Sequence, residues 1–156
     1  MQSSGFRKSQ VQLFHRPGNA DISQPAFFFQ PSCAAGFEAH CAAVASFYET
    51  RRDVFLRAAE AHLTGLADWT VPTAGMFVWL ELLGVADSHA LITQHCAAAK
   101  VLLVPGQSFM PSDAPTSHVR AAFSTASDEE IDEALRRLAA LLREQRRVQS
   151  STPPSS

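Results

Sequence analysis

Residues 76–82, Met-Phe-Val-Trp-Leu-Glu-Leu, form a nearly unbroken apolar and aromatic run that starts straight after the turn-forming stretch Pro-Thr-Ala-Gly at 72–75. Seven such residues are too few for an ordinary helix and fit a strand. A run apolar at almost every position predicts a strand buried on both faces, so the rest of the chain has to supply its cover. With 46% hydrophobic residues in 156, the chain can fill one core and is the length of one domain.

The cover is legible on both sides of the run. Phe37, Cys41, Val44, Phe47, Tyr48, Val54, Phe55, Ala58, Ala59 and Leu63 recur at helical spacing, which predicts an amphipathic helix over 37–63 stopped by Gly65. Asp87 or Ser88 caps a second helix whose face is Leu91, Ile92 and Cys96 and whose end is Lys100. Residues 101–104, Val-Leu-Leu-Val, read as a short buried strand ended by Pro105 and Gly106, and residues 118–124 as another strand. Ser127 with Glu130 three residues on makes a capping box for a last helix, striped with Ile131, Ala134, Leu135, Leu138, Leu141 and Leu142. First-turn helix chemistry accounts for the acidic cluster Asp128, Glu129 and Glu130. The order predicts an α+β fold, a sheet of three or four strands covered by helices on one side. Residues 1–35 read as a disordered or atypical extension with one sticky element at 26–29, Ala-Phe-Phe-Phe; residues 36–146 form the domain, and 147–156 a disordered tail.

Thirteen basic against fifteen acidic residues leave a formal net charge of -2, which argues against nucleic acid or an anionic membrane as partner. Cys33, Cys41 and Cys96 follow no paired spacing, so a disulfide framework and a structural zinc site are disfavoured and a reducing, intracellular setting is expected. Cys41 and Cys96 fall on apolar helical faces and read as buried, inert thiols. The six histidines never form an H-x-x-x-H pair, and no metal site is expected. Residues 1–20 carry Arg7, Lys8 and Arg16 with no acid; this loosely fits a mitochondrial transit peptide, with plain disorder the other reading, so the compartment is mitochondrial or cytoplasmic.

Within strand 118–124 alternation sets Val119, Ala121 and Phe123 on one face and His118, Arg120, Ala122 and Ser124 on the other. Arg120 therefore sits on a polar face among small neighbours, where its planar fork can accept an anion through two parallel hydrogen bonds. A solvent-facing arginine, or one paired with a carboxylate of the last helix, is the plainer reading.

Taken together, "GFEAH", "FYETRRDVFLRAAEAHLTGLADW", "VPTAGMFVWLEL", "VLLVPGQSF" and "HVRAAFSTAS", in this order over about residues 36–146, resemble the C-terminal small domain of the class I/II aminotransferases of fold type I, which depend on pyridoxal phosphate. Within that group they are most like the kynurenine/alpha-aminoadipate aminotransferases. Ala74-Gly75 stands where many relatives carry two glycines. The resemblance implies that Arg120, in the R-x-x-F-S strand, binds the α-carboxylate of the substrate. It implies an amino transfer from a kynurenine- or 2-aminoadipate-type donor to a 2-oxo acid such as 2-oxoglutarate, by an enzyme that is a homodimer. The segment 105–109 is similar to one bordering the active-site entrance; read by itself it is a strand-ending turn.

The departure from the family is the cofactor site. Its lysine lies in a Ser-x-Ser-Lys stretch upstream of the small domain, and the lysines here, Lys8 and Lys100, are not in that context. The acidic partner of the pyridine nitrogen, the stacking aromatic and the Asn-Pro pair of the large domain are also missing, and Tyr48 belongs to the first helix. The expectation is a fragment that is inactive alone, with no catalytic, cofactor-binding or metal-binding residue of its own and no bound pyridoxal phosphate. The other open reading is a non-catalytic α+β module that binds an anionic small molecule or a partner aminotransferase subunit. In either case the apolar face of helix 37–63 is short of partners and should make the chain sticky.

Overall fold

Helix α1 runs over Ala34–Leu63 and stops where Gly65 takes up a φ of +74°, with the Leu66 amide turning back to the Leu63 carbonyl at 2.8 Å. The structure, a computed structural model, describes residues 34–96, 99–101, 103–112 and 114–151. The expectations for residues 26–29, Lys8 and Cys33 lie outside these. The apolar stripe of α1 is used unevenly: Val54, Phe55, Ala58, Ala59 and Leu63 are buried, whereas every residue from Gly36 to Phe47 is exposed.

Strand β1 (Ala67–Trp69) pairs antiparallel with β2 (Phe77–Leu82), which pairs in turn with β4 (His118–Ala122), and β3 (Val104–Pro105) closes the other edge. The sheet order is β1-β2-β4-β3. Val78, Leu80 and Leu82 are fully buried, but Phe77 and Glu81 are exposed and Trp79 is half-buried. Burial of β2 on both faces is thus corrected to burial on one. The physical reason is that Phe77 and Trp79 take their partners from groups standing on the same open face, so no second layer is needed to occupy them.

Asp87 caps α2 (Ser88–Leu91), its carboxylate accepting from the His89 and Ala90 amides at 2.9 and 3.1 Å; a π-helical turn, Ile92–Cys96, prolongs it. Lys100, with a φ of 60°, reverses the chain, and Val101 and Leu103 are buried. The strand expected at 101–104 is interrupted: Val101 makes an isolated bridge, Val104 pairs with β4, and Pro105 lies inside the strand instead of ending it. An edge position tolerates the missing N–H.

Helix α3 (Asp128–Ser151) opens on the expected capping box: the Ser127 amide donates to Glu130 Oε2 at 2.8 Å and the Glu130 amide to Ser127 Oγ at 3.2 Å. Ile131, Ala134, Leu135, Leu138 and Leu142 are buried against the inner sides of α1, β2 and β4 in one core. The helix continues past 146, so the tail expected to be disordered is helical through Ser151. Arg146 donates to the Gly65 and Leu83 carbonyls at 2.8 and 3.1 Å, and Gln149 to that of Gly84 at 3.3 Å, which pins these last turns to the loops around the β1–β2 pair. The α+β architecture with helices on one side of a four-stranded sheet is as the sequence predicts. No helix among the described residues is long and apolar enough to cross a membrane.

Cys96 is fully buried, and burial pushes its thiol up to about 11. Cys41 is exposed, contrary to expectation, because it lies on the turns of α1 that leave the core.

Candidate functional site

Central strand β4 holds Arg120 directly opposite Trp79 of β2 on one side and Val104 of β3 on the other. Val119 and Ala121 point into the core, so Arg120 stands on the open face, as the alternation predicts. Two rings hold its guanidinium. The Arg120 Cζ lies 4.1 Å from the centroid of Phe77 and 4.4 Å from that of Phe109, distances at which a cation is attracted to a ring face. Trp79 meets Phe109 edge-on at 5.6 Å and stacks on the His118 ring at 5.7 Å, extending the frame along the face.

Phe109 is brought here by the 3₁₀ turn Gly106–Phe109 that follows β3. The turn hugs β4 so closely that a Cβ on Gly106 would stand 2.6 Å from the His118 carbonyl oxygen, and no side chain fits there. The Ser88 hydroxyl donates to the same carbonyl at 2.7 Å, fixing the start of α2 to the same strand. The His118 ring is itself engaged, with Nδ1 3.1 Å from Thr116 Oγ1 and Nε2 3.9 Å from Glu81 Oε2.

Among the described residues no carboxylate pairs with Arg120, while the arginines of α1 and α3 that sit near acids do pair: Arg51 with Asp128, Arg52 with Asp53, and Arg136 and Arg137 with Glu133. Of the two plainer readings, pairing with a carboxylate of the last helix is not seen, and Arg120 is half-buried, part of it still facing solvent. Rings cover the faces of a guanidinium and leave its donors, which lie in its plane, to a planar anion.

The clamp of Phe77 and Phe109 is what sequence reasoning missed. Alternation puts Phe77 on the same face as Trp79, but the register that sets Trp79 against Arg120 is not written in either strand. The segment 105–109, read as a plain turn, gives no sign that its last ring returns over β4.

The residues around Arg120 do not fit an amine-linked cofactor. Lys100 belongs to the reversal after the π-helical turn and not to the ring frame. Among the described residues no cluster of His, Cys, Asp and Glu could hold a metal ion.

No family model matches the chain. It is 49% identical over 110 residues to the aminotransferase tdiD of Emericella nidulans, a match that covers 69% of this chain and 25% of the relative. It is 46% identical over 110 residues to the mitochondrial kynurenine/alpha-aminoadipate aminotransferase of Mus musculus, covering 70% of this chain and 26% of that one. Over two thirds of its length the chain is similar to one part of these aminotransferases. Among solved structures, the alpha-aminoadipate aminotransferase of Thermus thermophilus, complexed with N-(5'-phosphopyridoxyl)-L-leucine, superposes with a TM-score of 0.66 at 26% identity over 75% of this chain and 30% of its own. The fold is accordingly that of part of a fold type I aminotransferase, and this chain spans about a quarter of the length of the curated aminotransferases it matches.

Proposed function

We propose that this chain is the carboxylate-holding part of a pyridoxal-phosphate-dependent aminotransferase and that Arg120 grips the α-carboxylate of an amino acid or of its 2-oxo acid. The observation that carries the reading is the Arg120 guanidinium standing between Phe77 and Phe109 with no acidic side chain among the described residues to neutralise it. Two parallel N–H bonds to a carboxylate fix the substrate's position and the direction of its Cα–H bond, which a transamination requires. Pyridoxal phosphate supplies the electron sink in a complete enzyme. With no lysine at the ring frame among the described residues, the expectation is that this chain alone lacks transaminase activity.

The names of the relatives support a kynurenine- or 2-aminoadipate-type donor, with 2-oxoglutarate as an acceptor that offers the same α-carboxylate. A homodimer is the expected assembly of the complete enzyme, and the compartment is mitochondrial, as in the name of the mouse relative, or cytoplasmic.

Titration of the chain with 2-oxoglutarate tests the reading, followed by nuclear magnetic resonance at the indole N–H of Trp79, the residue opposite Arg120. A saturable shift is expected in the native chain, weakened in Arg120→Lys and absent in Arg120→Ala. No shift in the native chain, or an equal one in Arg120→Ala, overturns it.

A further inference from the structure

Phe109 is exposed and stands at the end of a short turn, so its own burial does not fix its ring over Arg120. Among the described residues its ring contacts are with Arg120, at 4.4 Å, and with Trp79, at 5.6 Å. The Trp79 indole is half-buried and lies nearly parallel to the His118 ring, with 25° between the planes. A line of ring contacts therefore runs from His118 through Trp79 and Phe109 to the guanidinium.

His118 is the fixed end of that line. The Thr116 hydroxyl accepts from the His118 amide at 3.3 Å, which leaves its own proton to reach the ring Nδ1 at 3.1 Å. The Ser88 hydroxyl bonds the His118 carbonyl. Gly106 packs so closely that a Cβ there would come within 2.9 Å of the His118 Cβ. His118 thus meets the turn Gly106–Phe109 at both ends: its carbonyl and Cβ back the first residue, and its ring, through Trp79, backs the last.

We infer that His118 is a positioning residue for the carboxylate grip: its ring sets Trp79, Trp79 sets Phe109, and Phe109 holds the guanidinium with its donors free. The role rests on Arg120 taking the α-carboxylate, as proposed above. His118 acts through Phe109 and not on the anion. Rings restrained beforehand spare the rotamer entropy that binding would otherwise cost.

His118→Ala removes the ring but keeps the Cβ and the carbonyl, so the packing on Gly106 and the Ser88 bond remain. It should weaken 2-oxoglutarate binding about fivefold, the order of what one aromatic pair contributes. His118→Phe, which restores a ring, should bind within about twofold of the native chain. In a Phe109→Ala background, His118→Ala should weaken binding no further, because its effect passes through a ring already gone. Nuclear Overhauser contacts between the Phe109 ring and the Arg120 Nε–H, measured without ligand, give a second reading: they persist in His118→Phe and weaken in His118→Ala. Unchanged contacts in His118→Ala overturn the inference. So do equal affinities of the native chain and His118→Ala, or losses that add in the double variant. A native chain that does not bind 2-oxoglutarate sinks the reading of Arg120 instead, and the Overhauser contacts of the unliganded chains then decide the role of His118 by themselves.

Discussion

Arg51 Nη1 lies 2.6 Å from Asp128 Oδ1 and ties the middle of α1 to the first turn of α3. The same guanidinium donates to the carbonyls of Phe123, at 3.4 Å, and Ala126. One side chain therefore holds the loop that leads away from the Arg120 strand.

The two halves of this ion pair are not equivalent. The Asp128 side chain is 59% exposed and the Arg51 side chain 15%. Arg51→Ala strips two loop carbonyls of their donor and should cost about 2 kcal/mol. Asp128→Ala removes only a solvent-screened partner and should cost under about 1 kcal/mol. Urea midpoints of the two variants check the order; equal losses would contradict it.

Phe109 is 45% exposed, so Phe109→Ala should leave stability within about 1 kcal/mol of the native chain. It should nevertheless weaken 2-oxoglutarate binding several-fold, because one of the rings that hold the guanidinium is gone. Parallel denaturation and carboxylate titrations separate the two effects.

Gly106→Ala should act differently. A Cβ 2.6 Å from the His118 oxygen and 2.9 Å from its carbonyl carbon meets backbone, which cannot swing aside. The turn has to lift off β4, at about 1–3 kcal/mol by analogy with overpacking, and Phe109 moves with it. The expected result is a loss of stability together with a loss of carboxylate binding, in contrast to Phe109→Ala.

The salt cluster on α3 sets a pH dependence. Hydrogen bonds from Arg136 and then Arg137 hold the Glu133 carboxyl down at about 2. A depressed folded-state value means that the stabilisation is fully present above the ordinary glutamate range and is lost as the pH falls toward 2. The side chain is 34% exposed, so screening keeps the effect under about 1 kcal/mol. Glu133→Gln should flatten the stability profile between about pH 4.5 and 2, and added salt should shrink the difference between the two proteins.

Local chemistry is what the sequence makes readable here. The Ser127–Glu130 box, the Asp87 cap and the Gly65 stop each involve residues a few positions apart, and each forms as its spacing demands. The stripe of α3 is legible because one continuous core takes the whole of it. The stripe of α1 looks the same in sequence, yet only Val54 to Leu63 is buried in that core, with Tyr48 packed partly against it, since periodicity records an apolar face and not what lies opposite it. The misreading of β2 has the same origin: aromatic residues that pack along an open face look like residues facing a second layer. Alternation alone sets Arg120 on the correct face, but its clamp depends on a strand register and on a glycine-backed turn that juxtapose residues 77, 109 and 120. No local pattern encodes that meeting.

The order of elements along the chain also bears on how it is made. Helix α3, which closes the core over the inner side of the sheet, is translated after every strand it covers. A nascent polypeptide therefore shows the ribosome's surroundings an oily, half-assembled ladder until the last helix has emerged, and chaperone capture or misassociation is most acute in that interval.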